Sequence, residues 1–213
     1  MALASGSPYP AQLDIDYPKG PRDRLTVGLR IFWAIPALIL VGTIGGAAYR
    51  ADWGSSSGFG FAGGVGALFI PVLLMIVFRQ KYPGWWFDFN REVTRFGARV
   101  GGYLALLSDR YPATDDEQFV HLDLAYPDVE HDLNRWLPLV KWLLAIPHFI
   151  ILFFLGIAAF FVIVYSWFAI LFTGNHPRGA FDFVVGVMRW GLRVDAYAFL
   201  LITDRYPPFS LDP

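Results

Sequence analysis

The sequence predicts an all-α integral membrane protein of two tandem repeats, each a transmembrane helical hairpin followed by an interfacial amphipathic helix on the cytoplasmic side. Three observations support this fold class. The composition is apolar, with 55% hydrophobic and only 16% charged residues in 213, against about 25% charged in a typical soluble chain. The chain also contains long apolar runs and an internal repeat. Together they predict about four membrane spans.

The first half contains two apolar runs that are long enough to cross a bilayer. A helix rises about 1.5 Å per residue, so a run of about 20 residues crosses a hydrocarbon core of about 30 Å. The first predicted span is residues 26–48, which Pro36 is expected to kink, and the second is residues 59–78. Residues 49–58, rich in serine and glycine, are expected to form the loop between them.

A longer apolar run covers about residues 136–173 in the second half. One helix of that length would measure about 55 Å, which exceeds the hydrocarbon core. We therefore predict two spans, residues 137–155 and 157–173, with a tight turn near Gly156 and a kink at Pro147. This pair is either a full hairpin or a shallow re-entrant one.

The internal repeat is a series of motifs that recur in the same order. LDIDYP at 13–18 recurs as LDLAYP at 122–127, AIP at 34–36 recurs at 145–147, and FDF at 87–89 recurs at 181–183. RFGAR at 95–99 recurs as RWGLR at 189–193, and DRYP at 109–112 recurs at 204–207. The predicted repeats are residues 1–112 and 121–213, joined by an acidic linker at 113–120.

Each predicted span pair is followed by an amphipathic helix, at about residues 89–107 and 183–202. In the first, arginines recur every four residues on one face while apolar residues lie largely on the other. Such a helix lies in the membrane interface, although deeper packing against the bundle or a third span is the alternative. The arginines predicted to contact anionic lipid or a protein partner are Arg91, Arg95, Arg99, Arg189 and Arg193.

The DRYP motif ends each repeat and has two interpretations, a structural role at the helix end or a ligand contact. Proline disfavours helix at the preceding tyrosine, so the chain is expected to become extended there. The residues concerned are Asp109, Arg110 and Tyr111 in the first repeat and Asp204, Arg205 and Tyr206 in the second.

Two short segments near the repeat starts alternate apolar and polar residues, at 12–17 and, less strictly, at 121–126. A period of two is typical of a half-buried strand. The two segments are predicted either to pair with each other, joining the repeats below the membrane, or to remain extended arms.

A few polar and aromatic residues stand out within or beside the spans. His148 is a candidate intramembrane polar site, with an interhelical hydrogen bond or ligation of a haem or pigment as its alternatives. Tryptophan favours the membrane–water interface, and the predicted interface aromatics are Trp85, Trp86, Trp136 and Trp142. The chain has no cysteine, which excludes thiol catalysis and iron–sulfur ligation. We predict no catalytic residues, metal site or cofactor.

The distribution of positive charge predicts the topology. Lysine and arginine cluster before the first span, after the second, before the third and after the fourth, whereas only Arg50 lies on the opposite side. By the positive-inside rule, both termini and the central linker are expected to be cytoplasmic. The net charge of −1 gives no indication of a nucleic-acid partner.

The chain resembles the domain of unknown function 4389 family of bacterial membrane proteins. The resemblance lies in YPGWWFDF at 82–89, DRYP at 109–112 and RWLPLVKWLLAIPH at 135–148. It implies two tandem copies and a multi-pass protein of the bacterial inner membrane, with no activity attached. The function expected is a non-enzymatic accessory or scaffold subunit of a larger membrane complex. The alternative is an anionic-lipid-binding or lipid-organising protein, and a transporter comes third.

Overall fold

The computed structural model describes residues 9–18, 20, 22–44, 65–114 and 118–212. Its elements in chain order are β1 (Ala11–Ile15), α1 (Arg24–Gly28), α2 (Arg30–Ile44), α3 (Val65–Arg79), α4 (Gly84–Leu104), β2 (Val120–Leu124), α5 (Pro138–Leu144), α6 (Ile146–Thr173) and α7 (Arg178–Ala198). The fold is mostly helical, as predicted, but it is not all-α.

The two segments with alternating residues pair as an antiparallel sheet, in which Leu13 lies opposite Leu122. Both strands show the same alternation of buried and exposed residues along their length. Successive side chains of a strand point to opposite faces, so one face of this sheet enters the core and the other carries polar side chains. The pairing that the sequence suggested is therefore confirmed, and the all-α prediction is wrong at this point.

The predicted turn near Gly156 is wrong, because α6 continues through it as one helix from Ile146 to Thr173. Pro147 lies in the first turn of α6, where the missing N–H costs no internal hydrogen bond. The apolar run is divided at Ala145, between α5 and α6, and not at its centre. Among the described residues, α6 is the one helix long and apolar enough to cross a membrane.

The two predicted spans of the first half correspond to shorter helices. Within the described residues, each of α2 and α3 has 15 residues, or about 22 Å, which is less than the hydrocarbon core. Residues 45–64, which hold the predicted loop and the start of the second predicted span, lie outside the described residues. Four membrane spans are therefore not confirmed.

Helices occupy both segments predicted to be amphipathic, but each begins about five residues earlier, directly after Pro83 or Pro177. After each helix the chain turns at a buried leucine with positive φ, Leu106 (64°) and Leu201 (56°). Each helix packs against the strand of the other half, since α7 covers β1 and α4 covers β2. The main hydrophobic core is formed where these helices meet the inner face of the sheet.

Candidate functional site

The predicted repeat-end motifs lie in two ion clusters, one beyond the end of α4 and the other beyond the end of α7. In the first, Asp109 accepts from Arg22 (Nη1 to Oδ1, 3.1 Å) and from Arg30. Arg30 also donates to the Tyr103 carbonyl at 2.7 Å and lies 4.5 Å above the Tyr103 ring. Both arginine side chains are buried. Asp109 therefore pairs with two buried cations where α2 meets α4.

The second cluster has the same arrangement around Lys141. Its Nζ lies 2.7 Å from Asp204 Oδ1, donates to the Thr203 carbonyl at 2.7 Å, and lies 5.2 Å from the centre of the Tyr197 ring. Lys141 is completely buried. Burial lowers the pKa of Lys141, while the hydrogen bond and charge of Asp204 oppose this shift. The carboxylate thus opposes the loss of a proton from the buried ammonium.

The remaining residues of the two motifs also correspond. The backbone N–H of Arg110 donates to Ser108 Oγ and that of Arg205 donates to Thr203 Oγ1, both at 3.1 Å. The Tyr111 ring packs on Tyr103 with centroids 5.9 Å apart, and the Tyr206 ring packs on Tyr197 at 5.7 Å. These contacts support the structural interpretation of DRYP. A ligand contact of the motif remains a prediction.

The structure directs most of the predicted arginine contacts to backbone carbonyls of the protein. Arg99 donates to Ala113 O at 2.7 Å, and Arg193 donates to Asp212 O at 2.7 Å; both residues are buried. Arg189 donates to Leu13 O at 2.9 Å, and Arg95 donates to Leu122 O at 3.3 Å as well as pairing with Glu92. Arg91 pairs with Asp88 and Glu92. These arginines therefore hold the two strands and the segments that follow α4 and α7. Contact of these arginines with lipid stays a prediction.

His148 lies on the buried face of α6 inside a cluster of aromatic rings. Its Nδ1 accepts from Trp190 Nε1 at 3.0 Å, and its ring stacks on Phe209 with centroids 4.0 Å apart. An imidazole that accepts at Nδ1 carries its proton on Nε2 when neutral. This arrangement favours the hydrogen-bond interpretation over ligation of iron, because it leaves neither nitrogen with an open lone pair.

Three of the predicted interface tryptophans, Trp85, Trp136 and Trp142, are more than half exposed, whereas Trp86 packs on Trp85 with centroids 5.1 Å apart. The apolar side chains of α2, α5 and α6 are also exposed along most of each helix. Monomeric soluble proteins rarely expose apolar patches larger than a few hundred Å². This apolar surface, formed by α2, α5 and α6, is the candidate binding surface of the protein.

An open cleft of about 600 Å³ lies between the end of α3 and the segment after β2. Arg79 and Lys81 line it together with Asp128 and Glu130. The deeper wall contains Tyr82, and burial raises the pKa of Tyr82 to about 12. Among the described residues, no cluster of histidine, aspartate or glutamate is suited to hold a metal ion.

Sequence reasoning missed Arg30, Lys141 and Trp190. Arg30 and Lys141 each lie four residues before the recurring AIP motif. This shared spacing indicates that Arg30 and Lys141 are equivalent positions, although one is an arginine and the other a lysine. Trp190 lies inside RWGLR at 189–193, and its counterpart in RFGAR at 95–99 is Phe96.

These features define a mostly helical protein in which one described helix, α6, is long and apolar enough to cross a membrane. Residues 136–210 match the protein-family model described as "Domain of unknown function (DUF4389)". The predicted resemblance is thereby confirmed for residues 136–210, whereas the predicted first copy is not matched. No curated protein and no solved structure is significantly similar to the chain.

Proposed function

We propose that this chain is a non-enzymatic accessory or scaffold subunit of a larger complex in the bacterial inner membrane. The observation that carries this proposal is the apolar surface of α2, α5 and α6, which is too extensive for a protein that works alone in water. The ionic residues that stand out in the sequence hold elements of the chain together, as expected of a rigid scaffold. Membrane lipids and other membrane subunits are the proposed partners.

We also propose that residues 1–112 form a second, diverged copy of the domain. Four correspondences support this interpretation. The sheet pairs Leu13 with Leu122, which the repeat aligns, and Leu106 and Leu201 share a positive φ. Arg30 and Lys141 make equivalent ion pairs, and Arg95 and Arg189 donate to equivalent leucines.

The topology proposed keeps both termini on the cytoplasmic side, where the lysine and arginine residues are concentrated. The four predicted spans are not retained, because α6 is one continuous helix where two spans were predicted. Cytoplasmic termini do not depend on four spans, because they require only that both ends of the chain lie on the same side of the membrane.

The test is purification of the full chain from its native membrane in a mild detergent, with mass spectrometry of all retained proteins and lipids. A scaffold subunit retains another membrane protein at fixed stoichiometry. The matched variants are Phe161→Glu on the exposed face of α6 and Asp182→Lys on the exposed part of α7. We expect the Phe161→Glu chain to lose its binding to the membrane or to the partner. The Asp182→Lys chain should keep both. Recovery of the chain as a monomer, with lipid and no protein, would rule out the scaffold.

Binding of anionic lipid is a second candidate function, favoured by the exposed cations at the end of α3. Arg79 and Lys81 are exposed beside Phe78, which is also exposed. A cation near an anionic membrane surface contributes about 1 kcal/mol. Flotation with phosphatidylglycerol vesicles should weaken in the Arg79→Glu, Lys81→Glu double variant, while an Arg110→Glu control should float like the natural chain. Equal flotation with phosphatidylcholine vesicles would exclude this function.

A further inference from the structure

A narrow covered stripe runs along α6, an exposed stripe lies opposite it, and most of the circumference between the two is also exposed. The exposed stripe contains Ile150, Phe154, Phe161, Tyr165, Phe168 and Phe172. The covered stripe contains His148, Ala159, Ser166 and Ile170. At 100° per residue, these two sets lie on opposite sides of one straight helix. The helix therefore lies against the protein over about 42 Å.

The element beside α6 is α7, which runs in the opposite direction. Phe149 and Leu152 near the start of α6 pack with Trp190, Val194 and Tyr197 towards the end of α7. At the other end, residues 174–177 join the two helices. Both ends of α7, about 31 Å long, thus lie next to α6, and β1 is fixed to its middle by Arg189.

If α6 crossed the bilayer, α7 and the sheet would lie at the depth of the hydrocarbon. Charged side chains there are exposed, including Asp182 on α7. On the outer face of β1 and just beyond its end, the side chains of Asp14 and Asp16 are 77% and 66% exposed. Each charge at the centre of a bilayer costs about 2.5–3.5 kcal/mol on insertion scales. A crossing orientation therefore carries a large penalty.

We propose that α6 lies in the plane of the membrane and that its exposed stripe is buried in one leaflet. A helix that lies in the membrane interface places its buried face about 5–10 Å into the boundary between headgroups and acyl chains. The exposed faces of α2 and α5 contact the same leaflet, with Trp136 and Trp142 at the level of the headgroups, while α7 and the sheet remain in water. This inference rests on the membrane association proposed above and specifies its geometry.

The experiment measures the depth of single nitroxide labels along the exposed stripe. The chain has no cysteine, so each introduced cysteine is unique. The labelled sites are Ile150→Cys, Phe154→Cys, Phe161→Cys, Phe168→Cys and Phe172→Cys in the full chain, bound to vesicles of phosphatidylethanolamine and phosphatidylglycerol. Depth is obtained from the relative accessibility to oxygen and to a water-soluble nickel complex. Asp182→Cys, at an exposed position of α7, is the control.

An in-plane helix gives all five sites nearly the same depth within one leaflet, and the control label remains accessible to nickel. A crossing helix gives a profile that is deepest at Phe161 and returns to the surface at Ile150 and Phe172, which would overturn the inference while leaving membrane association intact. Failure of every labelled chain to bind the vesicles would instead overturn the proposed membrane association. These sites are exposed, so folding should be preserved, and circular dichroism verifies it for each variant.

Discussion

At the scale of single residues, the carboxylate of Asp204 is expected to be essential for stability because its partner is fully buried. In Asp204→Asn, the Lys141 ammonium would remain buried without its counter-ion. Removing one member of a buried pair costs about 3–5 kcal/mol. We expect a loss of about 3 kcal/mol in the free energy of unfolding, measured by urea titration in mild detergent.

The matched control also removes the buried charge of Lys141. Lys141→Met combined with Asp204→Asn leaves no uncompensated ammonium and should recover much of the lost stability, because coupled neighbours are not additive. Equal loss in the single and double variants would contradict the role assigned to this pair.

A second prediction concerns pH and His176, which lies between α6 and α7. Its Nδ1 is 3.0 Å from the Pro177 carbonyl, and its buried Nε2 has no hydrogen-bond partner among the described residues. Burial lowers the pKa of His176 in the folded protein, against an ordinary value of about 6.5. Its contribution to stability is therefore complete above about pH 6.5 and is lost as the pH falls through the lower folded pKa.

The measurement is the urea midpoint between pH 5 and 8 for the natural chain and for His176→Gln. The variant should lose part of the acid sensitivity, whereas His121→Gln, on the exposed face of β2, should retain it. An unchanged pH slope in His176→Gln would show that this imidazole is not the group concerned.

The sequence identified several of these residues but not their partners. Asp109, Asp204 and His148 stand out as repeated or unusual positions, whereas Arg30, Lys141 and Trp190 become relevant only through distances. An arginine in one half and a lysine in the other do not align as a motif. Each pair also joins segments separated by 42 to 79 positions in the chain, so local pattern does not reveal it.

At the scale of elements, the strands were predictable and the division of the long apolar run was not. Alternation at residues 12–17 and 121–126 directly encodes one buried face, so β1 and β2 follow from local sequence. The turn at Gly156 was inferred from bilayer thickness, which limits only a helix that crosses the membrane directly. A glycine within a strongly apolar helix breaks nothing by itself, because it costs only about 1 kcal/mol relative to alanine.

Two glycines of this region should therefore respond in opposite directions to alanine. Gly156 lies within α6, and an added Cβ would meet nothing within 4 Å, whereas Gly174 ends the helix with φ 76°. Gly156→Ala should stabilise by about 0.5–1 kcal/mol, and Gly174→Ala should destabilise by about 1 kcal/mol. Thermal unfolding in detergent gives both values. Destabilisation by Gly156→Ala would support a turn at that position.

At the scale of the whole molecule, the two halves exchange contacts that local sequence does not specify. Tyr17 donates to the His176 carbonyl at 2.6 Å, and Tyr126 donates to the Tyr82 carbonyl. The rings of Tyr17 and Tyr126 pack on Phe181 and Phe87, with centroids 5.0 and 5.1 Å apart. The arginines of α4 and α7 were predicted to contact lipid because the strands that Arg95 and Arg189 bind come from distant parts of the chain.

This exchange predicts that the halves remain together after the chain is cut between them. A protease site introduced into residues 115–117 would yield two fragments, each holding the strand that the other half's helix covers. We expect the fragments to coelute on size exclusion in mild detergent and to separate only in denaturant. Tyr17→Phe and Tyr126→Phe should each reduce the stability of the cut complex by about 1 kcal/mol, the net value of one hydrogen bond. Separation of the fragments without denaturant would mean that each half folds independently and that the exchanged contacts do not hold them together.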